Sequence, residues 1–184
     1  MVQVMSPPTA VLTEKGVPAN LLPPFTSRDY RDCIGNFATG VAIVTAGEGG
    51  TKTGMTVNSL TSVSLEPPLL LFCPKNGSHT LEVIRRTGTF AVNLLTDGQG
   101  DLCGRFAGRC EGDRFAGVAH RTGPFTGAPL LDGCLARLEC RIHAIHPGGD
   151  HSIVIGEVVG LDVGESASPL CFWTGKVREN DWTR

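Results

Sequence analysis

Apolar positions along this chain recur mainly with the period of β-strands and only briefly with that of a helix. Residues 30–37 carry apolar side chains at i, i+3, i+4 and i+7, which predicts an amphipathic helix. Thr26 and Ser27 are suitable caps at its start, and Gly40 ends it. A short helix is also predicted after Ser78, and a helical turn over 101–106.

The remaining apolar runs are short and are separated by glycine or proline. They predict strands over 41–46, 51–57, 61–65, 69–73, 89–95, 137–144, 152–163 and 170–173. Many short antiparallel strands with a few short helices predict a mainly β fold, a closed or split β-barrel. The Gly-rich stretch 109–131 is predicted to be an irregular, functional loop. Residues 1–24, proline-rich and without a period, are predicted to be a flexible arm before one domain over 25–184.

Composition and charge narrow the classes of partner. The net charge of −2 and the scattered arginines give no basic field for nucleic acid, and no apolar run is long enough to span a membrane. The N-terminus lacks the pattern of a secretory signal. Seven cysteines without a C-x-x-C pair predict buried thiols in a reducing, cytoplasmic environment.

Two polar blocks interrupt the apolar strands. Residues 54–64 are dense in hydroxyl and amide groups, which suit the polar rim of a planar heterocycle but also suit a strand with one solvated face. Residues 73–80 lead into a helix, where free N–H groups, hydroxyls and Lys75 suit a phosphate. Ser78 is also explained by a simple N-cap role, and both interpretations stay open here.

A third polar feature is the sequence Gly-Asp-His at 149–151, where the histidine is a possible base, metal ligand or polarising donor. His143 and His146 stand three apart on a predicted strand and therefore point to opposite faces, so no metal site is predicted. Neither a G-x-S-x-G elbow nor a G-x-G-x-x-G turn after a strand is present.

Taken in order, these blocks resemble the flavin reductase family of two-component monooxygenases. The resemblance rests on FATGV (37–41), GMTVNS (54–59), TSVSLEPPL (61–69), FAVNLL (90–95), RFA (105–107), DRF (113–115) and GDH (149–151). It extends over about residues 25–176. Two departures are Leu60, where the family commonly has phenylalanine, and Lys176, where it tends to place an aromatic residue.

The resemblance implies a split β-barrel homodimer with flavin bound near the subunit interface. It implies an isoalloxazine site formed by Met55, Thr56, Val57, Asn58, Ser59, Ser62, Val63 and Ser64. It implies that Cys73, Lys75, Ser78 and Thr80 hold the ribityl phosphate and that Arg105, Phe106 and Ala107 close over it. His151 is expected where the nicotinamide stacks on the flavin.

The implied activity is NAD(P)H-dependent reduction of FMN or FAD, with reduced flavin supplied to a separate monooxygenase. NADH is expected rather than NADPH, because no arginine cluster suits a 2′-phosphate. One alternative is a non-catalytic flavin-binding module, a sensor or carrier, which needs no nicotinamide site. A metal-binding β-barrel oxygenase is the other alternative, and the strand geometry of the histidines argues against it.

Overall fold

The computed structural model of the chain describes residues 25–48 and 50–178, apart from the side chain of Glu48. Contacts divide the chain into two units, residues 1–34 and residues 35–184. Helix α1 (Ser27–Ile34) belongs to the first unit. Thr26 caps it as expected, because its hydroxyl accepts the Asp29 N–H and donates to the Asp29 carboxylate. The predicted arm over 1–24 lies outside the described residues, and the division into arm and domain stays a prediction.

The second unit is built on one seven-stranded antiparallel sheet. Its strands are β2 (Ala42–Glu48), β3 (Thr51–Val57), β4 (Thr61–Leu65), β5 (Pro68–Phe72), β6 (Thr89–Leu94), β9 (Ala136–Gly148) and β10 (His151–Val163). Their order across the sheet is β3-β2-β6-β9-β10-β5-β4. In the described part of the chain the outer strands β3 and β4 do not pair with each other, so the sheet is left open as in a split barrel. The predicted mainly β class is confirmed.

Two small sheets complete the unit. One contains β1 (Thr39–Gly40), β11 (Cys171–Trp173) and β12 (Lys176–Arg178), and the other pairs β7 (His120–Thr122) with β8 (Pro129–Leu131). The prediction of an irregular segment over 109–131 was therefore wrong for β7 and β8. Their three-residue strands are too short for a period to stand out among glycines, and β12 was missed for the same reason.

Within the described residues of the second unit, helical structure occurs in two places. Helix α2 (His79–Thr87) follows β5, as predicted. A 3-10 turn (Asp97–Gln99), the short α3 (Gly100–Gly104) and a π-type turn (Arg105–Arg109) follow β6. None of the described helices has the length and apolar character needed to cross a membrane.

The core lies on both faces of the sheet. Leu81, Val83 and Ile84 of α2 are buried against one face, with Phe72 and Phe90 in edge contact at 5.2 Å. A second cluster on the other side is formed by Val41, Ile43, Leu95, Phe106, Phe115, Leu131 and Leu170. The first cluster includes Val57 of β3, and Phe106 of the second cluster lies against Gly54, so packed side chains lie on both sides of the strand that carries the GMTVNS block.

Arg137, Glu139 and Arg141 alternate along β9 and mark a charged face of this strand, which is not uniformly solvated. Glu139 on this face is only 3% exposed. Its carboxylate accepts hydrogen bonds from the backbone N–H groups of Phe125 and Thr126 and from the Thr126 hydroxyl. The connection before β8 therefore covers this face, and a strand-by-strand pattern does not reveal such a cover.

Candidate active site

A cleft of about 720 Å³ runs along the free edge of β3. As the outermost strand of its sheet, β3 has outward backbone groups without a strand partner. The cleft brings together twelve of the predicted site residues: Met55, Thr56, Val57, Asn58, Ser59, Cys73, Lys75, Ser78, Thr80, Phe106, Ala107 and His151. Four segments that are distant in sequence therefore converge there, from β3, the loop before α2, the π-type turn and the start of β10.

The start of α2 forms one wall of this cleft. The Glu82 N–H donates to the Ser78 carbonyl, so the amides between them precede the first intrahelical bond and are available to an anion. Ser78 occupies the N-cap position, yet its side chain makes no capping bond. Its Oγ is buried and has no hydrogen-bond partner among the described residues. Lys75 lines the cleft next to this helix start.

The loop before α2 is fixed to the turn that begins β10. The Asn76 N–H donates to the Asp150 carbonyl at 3.0 Å, and the Ser152 N–H donates to the Pro74 carbonyl at 2.9 Å. The Ser152 hydroxyl donates to the Asn76 side chain at 2.8 Å, and Arg85 donates to that hydroxyl in turn. This network joins the start of α2 to the turn that carries His151.

His151 lies at this turn, paired with its neighbour. Its Nδ1 is 2.8 Å from the Asp150 carboxylate, and its side chain is 42% exposed. The hydrogen bond from His151 holds the pKa of Asp150 below its ordinary value. The carboxylate therefore fixes the orientation of the ring and leaves Nε2 as the nitrogen not engaged by Asp150.

Two predicted hydroxyls of the GMTVNS block are already used by the protein. The Thr56 hydroxyl donates to the Cys103 carbonyl at 2.7 Å. The Ser59 hydroxyl accepts the Cys73 N–H at 3.0 Å and ties the end of β3 to the end of β5. These side chains therefore shape the cleft, and the backbone of β3 is left to contact a ring. Burial raises the pKa of the Cys73 thiol and keeps it protonated at neutral pH.

The opposite wall depends on a close approach at Gly54. A Cβ at this position would lie 2.8 Å from the ring of Phe106, which is 1% exposed. Phe106 packs edge to face on Phe115 at 5.0 Å, and Arg114 donates to the Gly54 carbonyl at 3.0 Å. Only glycine lets the Phe106 ring lie directly on the strand.

The structure leaves four predicted residues outside this cleft. Ser62, Val63 and Ser64 lie on β4, the far edge of the sheet, and a register shift between Ser62 and Ser64 interrupts its ladder. Arg105 lines a neighbouring cavity and donates to the Ala116 carbonyl at 2.6 Å. Arg105, the first residue of the π-type turn, therefore lies outside the cleft, whereas Phe106 and Ala107 line it.

Sequence reasoning missed several cleft residues, of which Lys52, Arg114 and Asp113 carry charge. The DRF motif at 113–115 was the available signal, since it matches the family, but no role followed from it. Lys52 had no sequence signal at all. The cleft is lined by three cations, Lys52, Lys75 and Arg114, and by one carboxylate, Asp113. The electrostatic potential in the cleft therefore favours an anionic ligand.

These features fit a flavin nucleotide. The buried Ser78 Oγ and the helix start provide donors for a phosphate, and the β3 edge with Phe106 provides an apolar and backbone surface for a ring. Among the described residues, no three His, Cys, Asp or Glu side chains are grouped so that they might hold a metal ion.

Comparison with known families agrees with this geometry. Residues 34–181 match the flavin reductase like domain. The chain belongs to this family. All four parts of the cleft lie within the matched range, and so does the open sheet that positions them.

Individual family members are similar over most of their length. The reductase subunit HsaB of a flavin-dependent monooxygenase from Rhodococcus jostii is 40% identical over 149 residues, which cover 81% of this chain and 75% of that protein. The NADH-dependent FAD reductase of Streptomyces globisporus is 40% identical over 164 residues, which cover 88% of this chain and 90% of that protein.

Solved structures show the same fold. The NADH:FAD oxidoreductase SgcE6 of Streptomyces globisporus has a TM-score of 0.80 and 40% identity, covering 88% of this chain and 98% of its own. BorF, the flavin reductase component of a bacterial two-component tryptophan halogenase, has a TM-score of 0.78 and 35% identity, covering 83% and 97%.

Proposed function

We propose that the cleft along β3 is the site at which this NAD(P)H-dependent flavin reductase binds FMN or FAD and reduces it. The observation that carries the assignment is the buried Ser78 Oγ beside the start of α2, which has no hydrogen-bond partner among residues 25–48 and 50–178. A buried hydroxyl without a hydrogen-bond partner lowers the stability of the fold. Its presence in a cleft therefore points to a ligand that forms the missing hydrogen bond. A phosphate meets that need, and Lys75 supplies the opposite charge.

The assigned roles follow the two walls. Ser78, Thr80, Lys75 and Cys73 bind the ribityl phosphate, and Met55, Thr56, Val57, Asn58 and Ser59 contact the isoalloxazine through the β3 edge. Phe106 and Ala107 cover the ring. Ser62, Val63, Ser64 and Arg105 stay predicted flavin contacts, and their places outside the cleft mean that they need a second subunit or a movement to reach it.

Bound flavin supplies the redox chemistry by accepting a hydride from the nicotinamide. The protein's task is to hold the two rings in contact and to exclude water. His151, fixed by Asp150, orients the nicotinamide, and the outward N–H groups of β3 stabilise negative charge on the flavin edge. No side-chain nucleophile is required for these tasks.

The test is NADH oxidation, followed at 340 nm, by the purified chain with FMN or FAD. Multiple turnovers with added flavin are expected, together with a flavin spectrum on titration. Binding of flavin without NADH oxidation would refute the reductase assignment in favour of a carrier or sensor. The absence of both flavin binding and NADH oxidation would refute the site itself.

We also propose that reduced flavin leaves the protein for a separate monooxygenase. Relatives such as HsaB and BorF are named as components of such pairs. The cleft opens to solvent along a strand edge, which suits a ligand that enters and leaves. Anaerobic gel filtration after turnover should separate FMNH2 from the protein, and stoichiometric retention would contradict release.

A homodimer is proposed on the basis of exposed apolar side chains. Leu65, Leu161 and Val163 are 86%, 69% and 79% exposed, and the last two point the same way near the end of β10. Large apolar side chains exposed together on a sheet are typical of subunit contacts. Light scattering should give twice the mass of the 19.4 kDa chain, and Leu161→Glu should lower it; a monomeric mass for the unmodified protein would refute the dimer.

The cysteines support a cytoplasmic location. Cys134 and Cys140 are buried free thiols, and burial raises the pKa of Cys134 to about 11. Free thiols of this kind are typical of reducing compartments. Fractionation of cells that express the protein is the test.

A further inference from the structure

Lys52 lies on the wall of the cleft opposite Ser78. It takes no part in the phosphate site formed by Ser78 and Lys75. Successive residues of a strand point to opposite faces. On β3 the Thr53 hydroxyl meets the Thr80 hydroxyl at 2.8 Å, toward α2, whereas Lys52 points to the side of His120. Lys52 and Thr80 therefore both line the cleft, Lys52 from one face of β3 and Thr80 from α2 on the other side of that strand.

His120 holds this lysine in place. Its Nδ1 lies 2.6 Å from the Val118 carbonyl oxygen, and this contact requires a proton on Nδ1. In the neutral ring Nε2 is then an acceptor, and it lies 2.8 Å from Lys52 Nζ. Phe115 packs against the imidazole at 5.3 Å. The lysine is thus ordered before a ligand arrives, which lowers the entropic cost of binding.

Arg114 adds a second cation to the same wall. It donates through Nη1 to the Gly54 carbonyl at 3.0 Å, and a guanidinium has five N–H donors in all. Asp113 is the carboxylate nearby, and its Oδ1 accepts the Phe115 N–H at 2.8 Å. This wall therefore carries two oriented cations, Lys52 and Arg114, and one carboxylate, Asp113, which already accepts a hydrogen bond from a backbone N–H.

We propose that Lys52, positioned by His120, binds the second phosphate of a flavin dinucleotide and makes FAD the preferred flavin over FMN. This inference rests on the proposed function, in which the first phosphate lies against Ser78 and Lys75. FMN has only that phosphate. In FAD the second phosphate is joined to the first by a bridging oxygen and adds an anionic group in the same cleft, and Lys52, which lines this cleft, is available to neutralise it. Riboflavin has no phosphate, so its binding should depend on neither Lys75 nor Lys52.

The test measures dissociation constants of FAD, FMN and riboflavin, without NADH, for the wild type and for Lys52→Met. A charge-assisted hydrogen bond to a phosphate is worth about a tenfold change in Kd at an open site. Lys52→Met should therefore weaken FAD about tenfold and change FMN and riboflavin less than about twofold. Lys75→Met is the matched control on the other wall, and it should weaken FAD and FMN alike.

The role of His120 is tested by rescue. His120→Leu removes the acceptor and should reproduce the selective loss of FAD affinity. His120→Gln supplies a carbonyl oxygen and should restore most of it, with thermal melting to show that all variants are folded. An unchanged FAD affinity in His120→Leu would overturn the positioning role.

Other outcomes overturn the assignment of Lys52. Equal weakening of FMN and FAD would place Lys52 at the first phosphate. A raised KM for NADH with FMN as acceptor, and unchanged FAD affinity, would assign it to the nicotinamide nucleotide. Absence of NADH-dependent flavin reduction in the wild type would refute the proposed function. This activity is measured separately from flavin binding, so the two failures are distinguishable.

Discussion

Replacing Ser78 by alanine separates two roles that predict opposite changes in stability. If the hydroxyl were a helix cap, its loss would destabilise the fold by about 1 kcal/mol. The structure shows no capping bond and a buried Oγ without a partner among the described residues. Removal of an unsatisfied buried hydroxyl relieves a penalty of about 1–3 kcal/mol, so Ser78→Ala should leave the free protein as stable as the wild type, or more stable.

The effect on flavin binding should have the opposite sign. One hydrogen bond to a charged phosphate contributes about 1.5–3 kcal/mol, and each 1.4 kcal/mol is a factor of ten in Kd. Because the cleft is open to solvent, the lower end applies, and FMN binding should weaken about tenfold. Riboflavin binding should change by less than about twofold, since it carries no phosphate.

The assay combines urea denaturation of the ligand-free protein with fluorescence titration by FMN and riboflavin. Ser78→Thr is a useful control, because it keeps the hydroxyl and should retain much of the difference between the two ligands. A loss of about 1 kcal/mol in unfolding free energy, with equal weakening of both ligands, would refute the phosphate role. It would show that Ser78 acts through the helix alone.

Three further predictions address other parts of the molecule. His151→Ala should raise the KM for NADH and leave flavin affinity unchanged, and an unchanged KM would return His151 to a structural role. Gly54→Ala should lower the unfolding free energy by about 1–3 kcal/mol in urea melts, because its Cβ would meet the buried Phe106 ring, whereas Gly40→Ala, with no atom within 4 Å, should be neutral. Burial raises the pKa of Cys140 to about 12, while an unfolded thiol ionises near 8.5. Stability should thus fall as pH rises above about 8.5, and less so in Cys140→Ala; equal slopes would contradict this.

Local pattern was sufficient for most of the sheet. Six of the seven strands of the main sheet were expected within two residues of their observed bounds, and β9 continues four residues past its predicted end. Each was recognised from alternating or apolar residues between turn residues, which needs no distant partner. The helix after Ser78 was expected for the same reason, from its cap and its apolar spacing. The short strands β7, β8 and β12 were missed, because three residues carry too little periodic signal.

The types of chemistry in the site were also readable from the chain. The hydroxyl-rich GMTVNS block, the helix start at Ser78 and the histidine at 151 all line the observed cleft. Their order along the chain, matched to a family, carried this information. No single block was specific enough to assign a ligand.

Which polar groups remain available to a ligand was decided only by tertiary packing. Thr56, Ser59 and Ser78 all carry a hydroxyl in the sequence. Packing gives the Thr56 and Ser59 hydroxyls partners from other segments, whereas the Ser78 hydroxyl has no partner in the described part of the chain. Lys52 and His120 are 68 residues apart and meet only because β3 passes the β7 strand. Pairings of this kind depend on long-range contacts between segments, and the free energy that selects them is burial of side chains whose neighbours are remote in the sequence.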